Sequence, residues 1–247
     1  MKKATWCTGF ALLAASAVTW AIVAAPWATA DESLSGVGKE QSPIGIITKE
    51  AVEADLPALD FGYEASVSLE VVNMGSPDEE ATIRANVPEG AGVLEVGGTK
   101  YNLLQFHWHT PSEHELNSEG FPMEMHLVHQ KVGADDLLVV GVWLEIADDP
   151  HEELDKIFSD LPEEEGKTKL VRGFDLTTLL TEDLGSFRYQ GSLTTPPFTE
   201  GVQWVVLDET LEVSQGQVQV FLDLFPDGNA HEVQPLKART VKFDDEE

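Results

Sequence analysis

Residues 101–130 read YNLLQFHWHT PSEHELNSEG FPMEMHLVHQ, and they contain two runs built like strands. Tyr101 to His109 and Met123 to Gln130 are rich in the β-branched and aromatic types that suit a pleated, half-buried backbone. Five of the seven histidines of the chain fall between positions 107 and 129. Strand side chains alternate between faces, so His107 and His109 project together. Glu124-Met125-His126-Leu127-Val128-His129 alternates in the same way. If the two strands pair, His126 comes alongside as a third imidazole. Three histidines leave tetrahedral zinc one open position for water, which is a catalytic arrangement. An isolated His-x-His is more often just two histidines than a metal site. Two neighbours argue for the metal: Gln105 shares a face with His107, and Glu124 shares one with His126. Each can accept a hydrogen bond from the ring nitrogen that faces away from an ion and so fix the tautomer. His114 and His129 read as structural histidines of the core.

Outward from this stretch the chain keeps the same character. Val67 to Val72 is strand-like, and Thr82 to Val87 alternates until Pro88-Glu89-Gly90. Val93 to Val96 runs into Gly97-Gly98, a strong hairpin pair. Leu137 to Ile146 is a further strand candidate. Helical signals are fewer. Asp148 to Leu161 is expected to cap at Asp148 or Asp149, with Pro150 in the first turn. Asp175 to Leu180 reads as a helical turn, and Ser214 to Leu224 as a helix capped by Ser214. Several strands with few helices make a mostly β (α+β) single domain the expected class.

The first 30 residues do not read as folded protein. Lys2 and Lys3 precede an apolar stretch from about Gly9 to Ala25, followed by Pro26 and the small triplet Ala28-Thr29-Ala30. That is the layout of a cleaved secretory signal, and it places the product in the periplasm or outside the cell. An uncleaved anchor is the other reading of so long an apolar run. Removal of the signal leaves 217 of the 247 residues, enough for one domain. Residues 31–40 read as a lead-in, 41–243 as the domain and 244–247 as a solvated acidic tail. The one cysteine, Cys7, lies in the signal, so the exported chain relies on its core rather than on disulfides. Lys and Arg number 15 against 44 Asp and Glu, a net charge of −29 that becomes −31 when Lys2 and Lys3 leave. Such a surface excludes nucleic acid and anionic lipid as partners. It is expected to serve solubility in a salty or exposed medium, with unfolding made easier as salt is lowered.

Two metalloprotein families resemble parts of this pattern. His107-x-His109-x-x-x-Glu113, followed by Gly120, is similar to the first metal motif of the cupins. The leading glycine of that motif is Tyr101 here, however. The second motif also fails, because Pro122-Met123-Glu124-Met125-His126 lacks its glycine and Gln130 stands where an asparagine is needed. The α-class carbonic anhydrases are resembled in four segments, in order. These are Gln41-Ser42-Pro43-Ile44, Gln105 through His129 with Ser112-Glu113-His114 inside it, Gly191-Ser192-Leu193-Thr194-Thr195-Pro196-Pro197, and Gln234-Pro235-Leu236 with Arg239.

This resemblance, to the exported bacterial type, spans about 41–243. It implies a central twisted, mainly antiparallel sheet with short peripheral helices. It also implies Zn²⁺ held by His107, His109 and His126, with Gln105 and Glu124 behind them. Reversible hydration of carbon dioxide to bicarbonate follows, by a zinc-bound hydroxide oriented by Thr194 and Glu113. A threonine that donates its one proton to Glu113 can only accept from the hydroxide. Zinc lowers the pKa of its water towards neutrality, the property that carbonic anhydrase itself exemplifies. Val128, Val139, Leu193, Val202 and Trp204 match the pocket for carbon dioxide, and Thr195 lies beside the bicarbonate position. The partner is a small molecule, and an oligomer is compatible with the sequence. A non-catalytic binding module of the same family and a zinc esterase are the alternative functions.

The chain departs from the family pattern in several places. The usual proton-shuttle histidine is absent, since no histidine occurs before residue 107 and Ser76 or Ala81 occupies its place. Turnover is therefore expected to be limited by proton transfer, and Asp78, Glu79 and Glu80 are poor substitutes near neutral pH. The usual N-terminal aromatic segment is missing, Gly45 replaces an aspartate, and His231-Glu232 replaces an Arg-Pro pair.

Overall fold

A computed structural model describes residues 38–75 and 81–245. The segment expected to be a signal, most of the expected lead-in, Ser76 and Asp78 to Glu80 lie outside the described residues. So do the last two residues of the acidic tail.

Strands dominate the described chain. In chain order they are Gly45–Ile46 (β1), Val52–Glu53 (β2), Leu59–Tyr63 (β3), Val67–Asn73 (β4), Ile83–Asn86 (β5), Gly92–Val96 (β6), Thr99–His109 (β7) and Glu115–Leu116 (β8). There follow Met123–Lys131 (β9), Leu137–Ala147 (β10), Thr168–Phe174 (β11), Ser186–Ser192 (β12), Glu200–Leu207 (β13), Leu211–Ser214 (β14) and Lys242–Asp244 (β15). One large sheet runs β11-β4-β5-β7-β9-β10-β13-β12-β15-β2. Its pairings are mainly antiparallel, and β10 lies parallel to both β13 and β14. The expected fold class is therefore the observed one.

The Gly97-Gly98 hairpin joins β6 to β7 with Val96 opposite Thr99, and both glycines have positive φ. A two-residue turn matched to strand twist needs that conformation. Asp244 ends β15, so the strand reaches into the segment read as a solvated tail.

Two helices flank the sheet. Gln215–Leu224 (α2) begins at Ser214, whose hydroxyl accepts from the Gln217 amide while Gln217 reaches back to the Ser214 amide. Glu152–Phe158 (α1) starts later than the sequence suggests. Its cap is His151, whose ring Nδ1 accepts from the Leu154 amide at 3.3 Å. Pro150 therefore precedes the helix. Histidine is not a usual capping type, so Asp148 and Asp149 draw attention away from it. Asp175 caps a single 3-10 turn, Leu176–Leu179.

The sheet separates two apolar clusters, and alternation along β10 assigns residues to each. Leu138, Val140, Val142 and Leu144 enter the larger core with Phe106, Trp108, Met125 and Leu127. Val139 and Trp143 face the smaller cluster with Val128, Val202, Trp204 and Tyr189. Both faces of β10 are thus buried, which explains its nearly unbroken apolar run.

A β-bulge in β7 sets which face the histidines occupy. Leu103 pairs with His129 and Gln105 with Val128, so Leu104 has no partner on β9. Tyr101 and Leu103 face the larger core before the bulge, and Phe106 and Trp108 face it after. The inserted residue shifts the period by one. Gln105, His107 and His109 thereby share the opposite face with Glu124, His126 and Val128.

Candidate metal centre

β7 and β9 place His107 directly opposite His126, with His109 one pleat along and opposite Glu124. The three imidazoles converge, with ring centroids 5.0, 5.3 and 4.6 Å apart. One nitrogen from each lies within 4.8 Å of the others. All three residues are buried. Burial foremost pushes the three ring pKa values down, His109 to about 3. Neutral imidazoles are the form that ligates a metal.

The far nitrogen of each ring is already engaged. His107 Nδ1 donates to Gln105 Oε1 at 2.8 Å. His109 Nδ1 faces the Asn229 carbonyl at 3.3 Å and Glu113 Oε1 at 3.2 Å. His126 Nε2 donates to Glu124 Oε1 at 2.9 Å. Each ring therefore turns a lone pair inward: Nε2 of His107, Nε2 of His109 and Nδ1 of His126. His109 Nε2 is buried with no hydrogen-bond partner among the described residues. A buried acceptor of that kind is costly unless something binds it, and a cation satisfies all three lone pairs. The residues fit zinc with three nitrogen ligands and an open fourth position.

Glu124 is fully buried, and its carboxylate takes four donors. Oε2 accepts from the Glu113 and His114 amides at 2.9 and 2.8 Å, and Oε1 from His114 Nδ1 at 2.7 Å and from His126. Burial pushes this carboxyl up, but the flanking histidines outweigh burial and hold it well below the usual range. It is therefore ionised and can only accept. Proton positions follow outward from that fact. His114 Nδ1 donates, so His114 Nε2 accepts from the Tyr189 hydroxyl at 2.7 Å. The Tyr189 oxygen then accepts from Ser42 Oγ at 2.9 Å, and Ser42 Oγ from the Ser192 amide at 3.1 Å. Gly141 leaves room for Glu124, since a Cβ there would stand 3.0 Å from Oε1. His114, Glu124 and His126 also cluster closely enough to hold an ion. That group is occupied by its own hydrogen bonds.

Thr194 lies on the open side, and Glu113 is buried behind it. The Glu113 carboxylate is buried and accepts from the His231 amide at 2.8 Å. Burial raises its pKa well above normal, while the His231 amide and the Thr194 hydroxyl favour its charged form. Thr194 sits on the turn between β12 and β13.

Two cavities open beside it and share Thr194, Thr195 and Pro196 as lining. One, of about 250 Å³, is bounded by His107, His126, Val128, Val139, Leu193 and Trp204 among others. The Trp204 indole is fixed by donation to the Ser192 carbonyl at 2.9 Å. Of the expected pocket residues only Val202 is not on this wall. It packs behind, in the same apolar cluster. The other cavity, of about 270 Å³, is bounded by Ala81, Thr82, His109, Asn229 and His231 among others.

Sequence reasoning missed Asn229, the Tyr189–Ser42 chain and the position of the His231 ring. Asn229 and Tyr189 carry no local signal, because each meets the site across a long loop in sequence. For His231 the signal was its departure from the Arg-Pro pair of the family.

One protein family, eukaryotic-type carbonic anhydrase, matches residues 23–244. A carbonic anhydrase of Neisseria gonorrhoeae is 41% identical over 208 residues, covering 84% of this chain and 79% of that protein. Human carbonic anhydrase 7 is 34% identical, covering 83% and 88%. Among solved structures, the α-carbonic anhydrase of Thermovibrio ammonificans, in complex with the inhibitor sulfanilamide, superposes with a TM-score of 0.77. It is 37% identical, covering 84% of this chain and 88% of that one.

Proposed function

The chain belongs to the eukaryotic-type, or α, carbonic anhydrase family, and from that premise we propose that it hydrates carbon dioxide reversibly at zinc held by His107, His109 and His126. One observation carries the zinc reading. Three buried imidazoles turn unprotonated nitrogens towards one point while separate acceptors pin their other nitrogens. Bound there, zinc supplies a Lewis acid that makes a water nucleophilic near neutral pH.

The remaining roles belong to the protein. In this reading the Thr194 hydroxyl donates its one proton to Glu113, whose charged form it favours, so its oxygen can only accept a hydrogen from the attacking oxygen. That fixes the direction of the lone pair that attacks carbon. Glu113 must be ionised to play this part. Its burial opposes ionisation, and a dication facing it favours ionisation. Val128, Val139, Leu193 and Trp204 offer carbon dioxide an apolar wall that excludes competing water. Thr195 stands where both cavities meet, within reach of the bicarbonate formed.

Export is part of the same proposal. Lys2-Lys3, the apolar run and Ala28-Thr29-Ala30 support a cleaved signal and a periplasmic or secreted product. Mature protein whose first residue is Asp31 is the expected result of N-terminal sequencing.

The test of the reaction is to measure zinc content and carbon dioxide hydration on signal-free protein. The expectation is about one zinc per chain and activity lost on chelation. An aromatic sulfonamide should also abolish it. Protein without zinc after metal-replete purification overturns the reading.

A further inference from the structure

Hydration yields one proton with each bicarbonate: CO₂ + H₂O → HCO₃⁻ + H⁺. The proton has to reach a base that solvent can discharge. Four ionisable side chains line the two cavities among the described residues: His107, His109, His126 and His231. The first three have their outer nitrogens committed to Gln105, to Asn229 and Glu113, and to Glu124. Glu113 and Glu124 lie behind the walls, buried and hydrogen-bonded. His231 is the remaining ionisable group, and it stands on the wall of the cavity of about 270 Å³ beside Asn229, Ala230 and Thr195.

We propose that His231 is the proton relay of this enzyme, taking the proton on a neutral ring nitrogen and passing it to solvent. The inference rests on the reaction proposed above.

The local geometry suits the role. The His231 ring stacks on Phe198 at 4.8 Å and 25°, which holds it against the cavity. Its main-chain amide is anchored on Glu113, so the backbone cannot drift. The residue is only partly buried, so one edge of the imidazole meets solvent. Nε2 accepts from the Gln234 amide nitrogen at the long distance of 3.5 Å, so Nδ1 carries the proton of the neutral ring, and Nδ1 has no hydrogen-bond partner among the described residues.

The groups facing this ring are few. Glu232 is adjacent, Glu113 sits beneath its main chain, and Phe198 and Gln234 are uncharged. Burial lowers the ring pKa from the usual histidine value, and Glu232 opposes that shift. The ring is thus neutral and able to accept near pH 7, and the cation it forms is acidic enough to discharge to buffer.

The sequence places no histidine before position 107, so the usual shuttle site is vacant. A relay at position 231 would enter the same cleft from the C-terminal segment instead.

The test uses zinc-loaded protein and His231→Ala, with His231→Gln as a second variant that keeps a polar side chain. Both retain the main-chain amide that holds Glu113. In weak buffer kcat is expected to fall at least about tenfold, the low side of what a positioned acid–base group supplies. kcat/KM, set by attack on carbon dioxide, should stay within about twofold, and added imidazole should restore kcat. Independently of activity, a ¹H–¹⁵N titration of the zinc-free parent should show the His231 ring titrating below the usual histidine value, as its burial dictates. That resonance should be absent from both variants.

Unchanged kcat in weak buffer overturns the proposal. So does a joint fall of kcat and kcat/KM that imidazole does not repair, which is the mark of a structural role. A ring that stays neutral down to about pH 4 does the same. Parent enzyme that is inactive at every buffer concentration sinks the reaction itself, and this inference with it.

Discussion

Glu124→Gln isolates the tautomer argument, because it changes charge and donor pattern while keeping the shape of the side chain. The carboxylate faces four donors, two main-chain amides on Oε2 and two imidazoles on Oε1. A carboxamide has only one acceptor oxygen, and its NH₂ must meet one of those pairs. If the NH₂ faces the Glu113 and His114 amides, two buried main-chain donors are orphaned. At about 1–3 kcal/mol each that costs about 2–6 kcal/mol of stability. If the NH₂ faces the histidines instead, both rings must give up the proton on that nitrogen. His126 then carries its proton on Nδ1, the atom turned towards the metal position. Proton rearrangement orphans no main-chain group, so this second placement is the cheaper one. Zinc affinity is therefore expected to fall about 10–100-fold, as for loss of an outer partner of a metal-bound histidine. Stability of the metal-free protein should fall by no more than about 2 kcal/mol. Competition against a fluorescent chelator reads the first quantity, and urea unfolding reads the second. A variant that binds zinc within about twofold of the parent, with an unchanged urea midpoint, refutes the claim that Glu124 sets the His126 tautomer.

Three further outcomes follow from the same geometry. Tyr189→Phe leaves the lone pair of His114 Nε2 buried without a donor. It should cost about 1–3 kcal/mol in urea unfolding while zinc affinity changes little. Gly141→Ala sets a Cβ 3.0 Å from Glu124 Oε1, part of a carboxylate that four hydrogen bonds prevent from retreating. About 1–3 kcal/mol of destabilisation is expected by the same assay, and an unchanged midpoint would show that the carboxylate can move. His151→Asn should flatten stability against pH. Burial lowers the His151 pKa, with the Thr178 carbonyl and Glu153 opposing, so between its folded value and about 6.5 the unfolded chain binds more protons. The stabilisation of the parent is complete above about pH 6.5 and is lost as pH falls through the folded value. Asparagine caps α1 without titrating. Thermal midpoints from about pH 7.5 to 5.5 should therefore fall less in the variant than in the parent, and parallel curves would count against the cap.

Period-two alternation made much of the sheet readable, because half-buried strands write their two faces into neighbouring residues. That is why Val67 to Val72, Val93 to Val96 with its Gly-Gly turn, and the shared face of His107 and His109 could be read directly. The bulge at Leu104 could not, since an apolar residue at an unpaired position looks like any other apolar residue. The start of α1 was misread for a related reason: the capping group is a ring nitrogen, and two aspartates stand just before it.

At the metal centre the division is sharper. Alternation brings three rings to one face, but it does not decide which nitrogen of each ring is bare. Gln105 and Glu124 decide that for His107 and His126 from two residues away, within reach of sequence reasoning. For His109 the decision comes from Asn229, 120 residues distant. The order of protons behind Glu124 runs on to Tyr189 and Ser42. Each of these distant groups either donates or accepts by necessity once Glu124 is ionised. The lone pairs that a metal would meet are therefore set from the far side of the rings, by contacts that only the folded chain assembles.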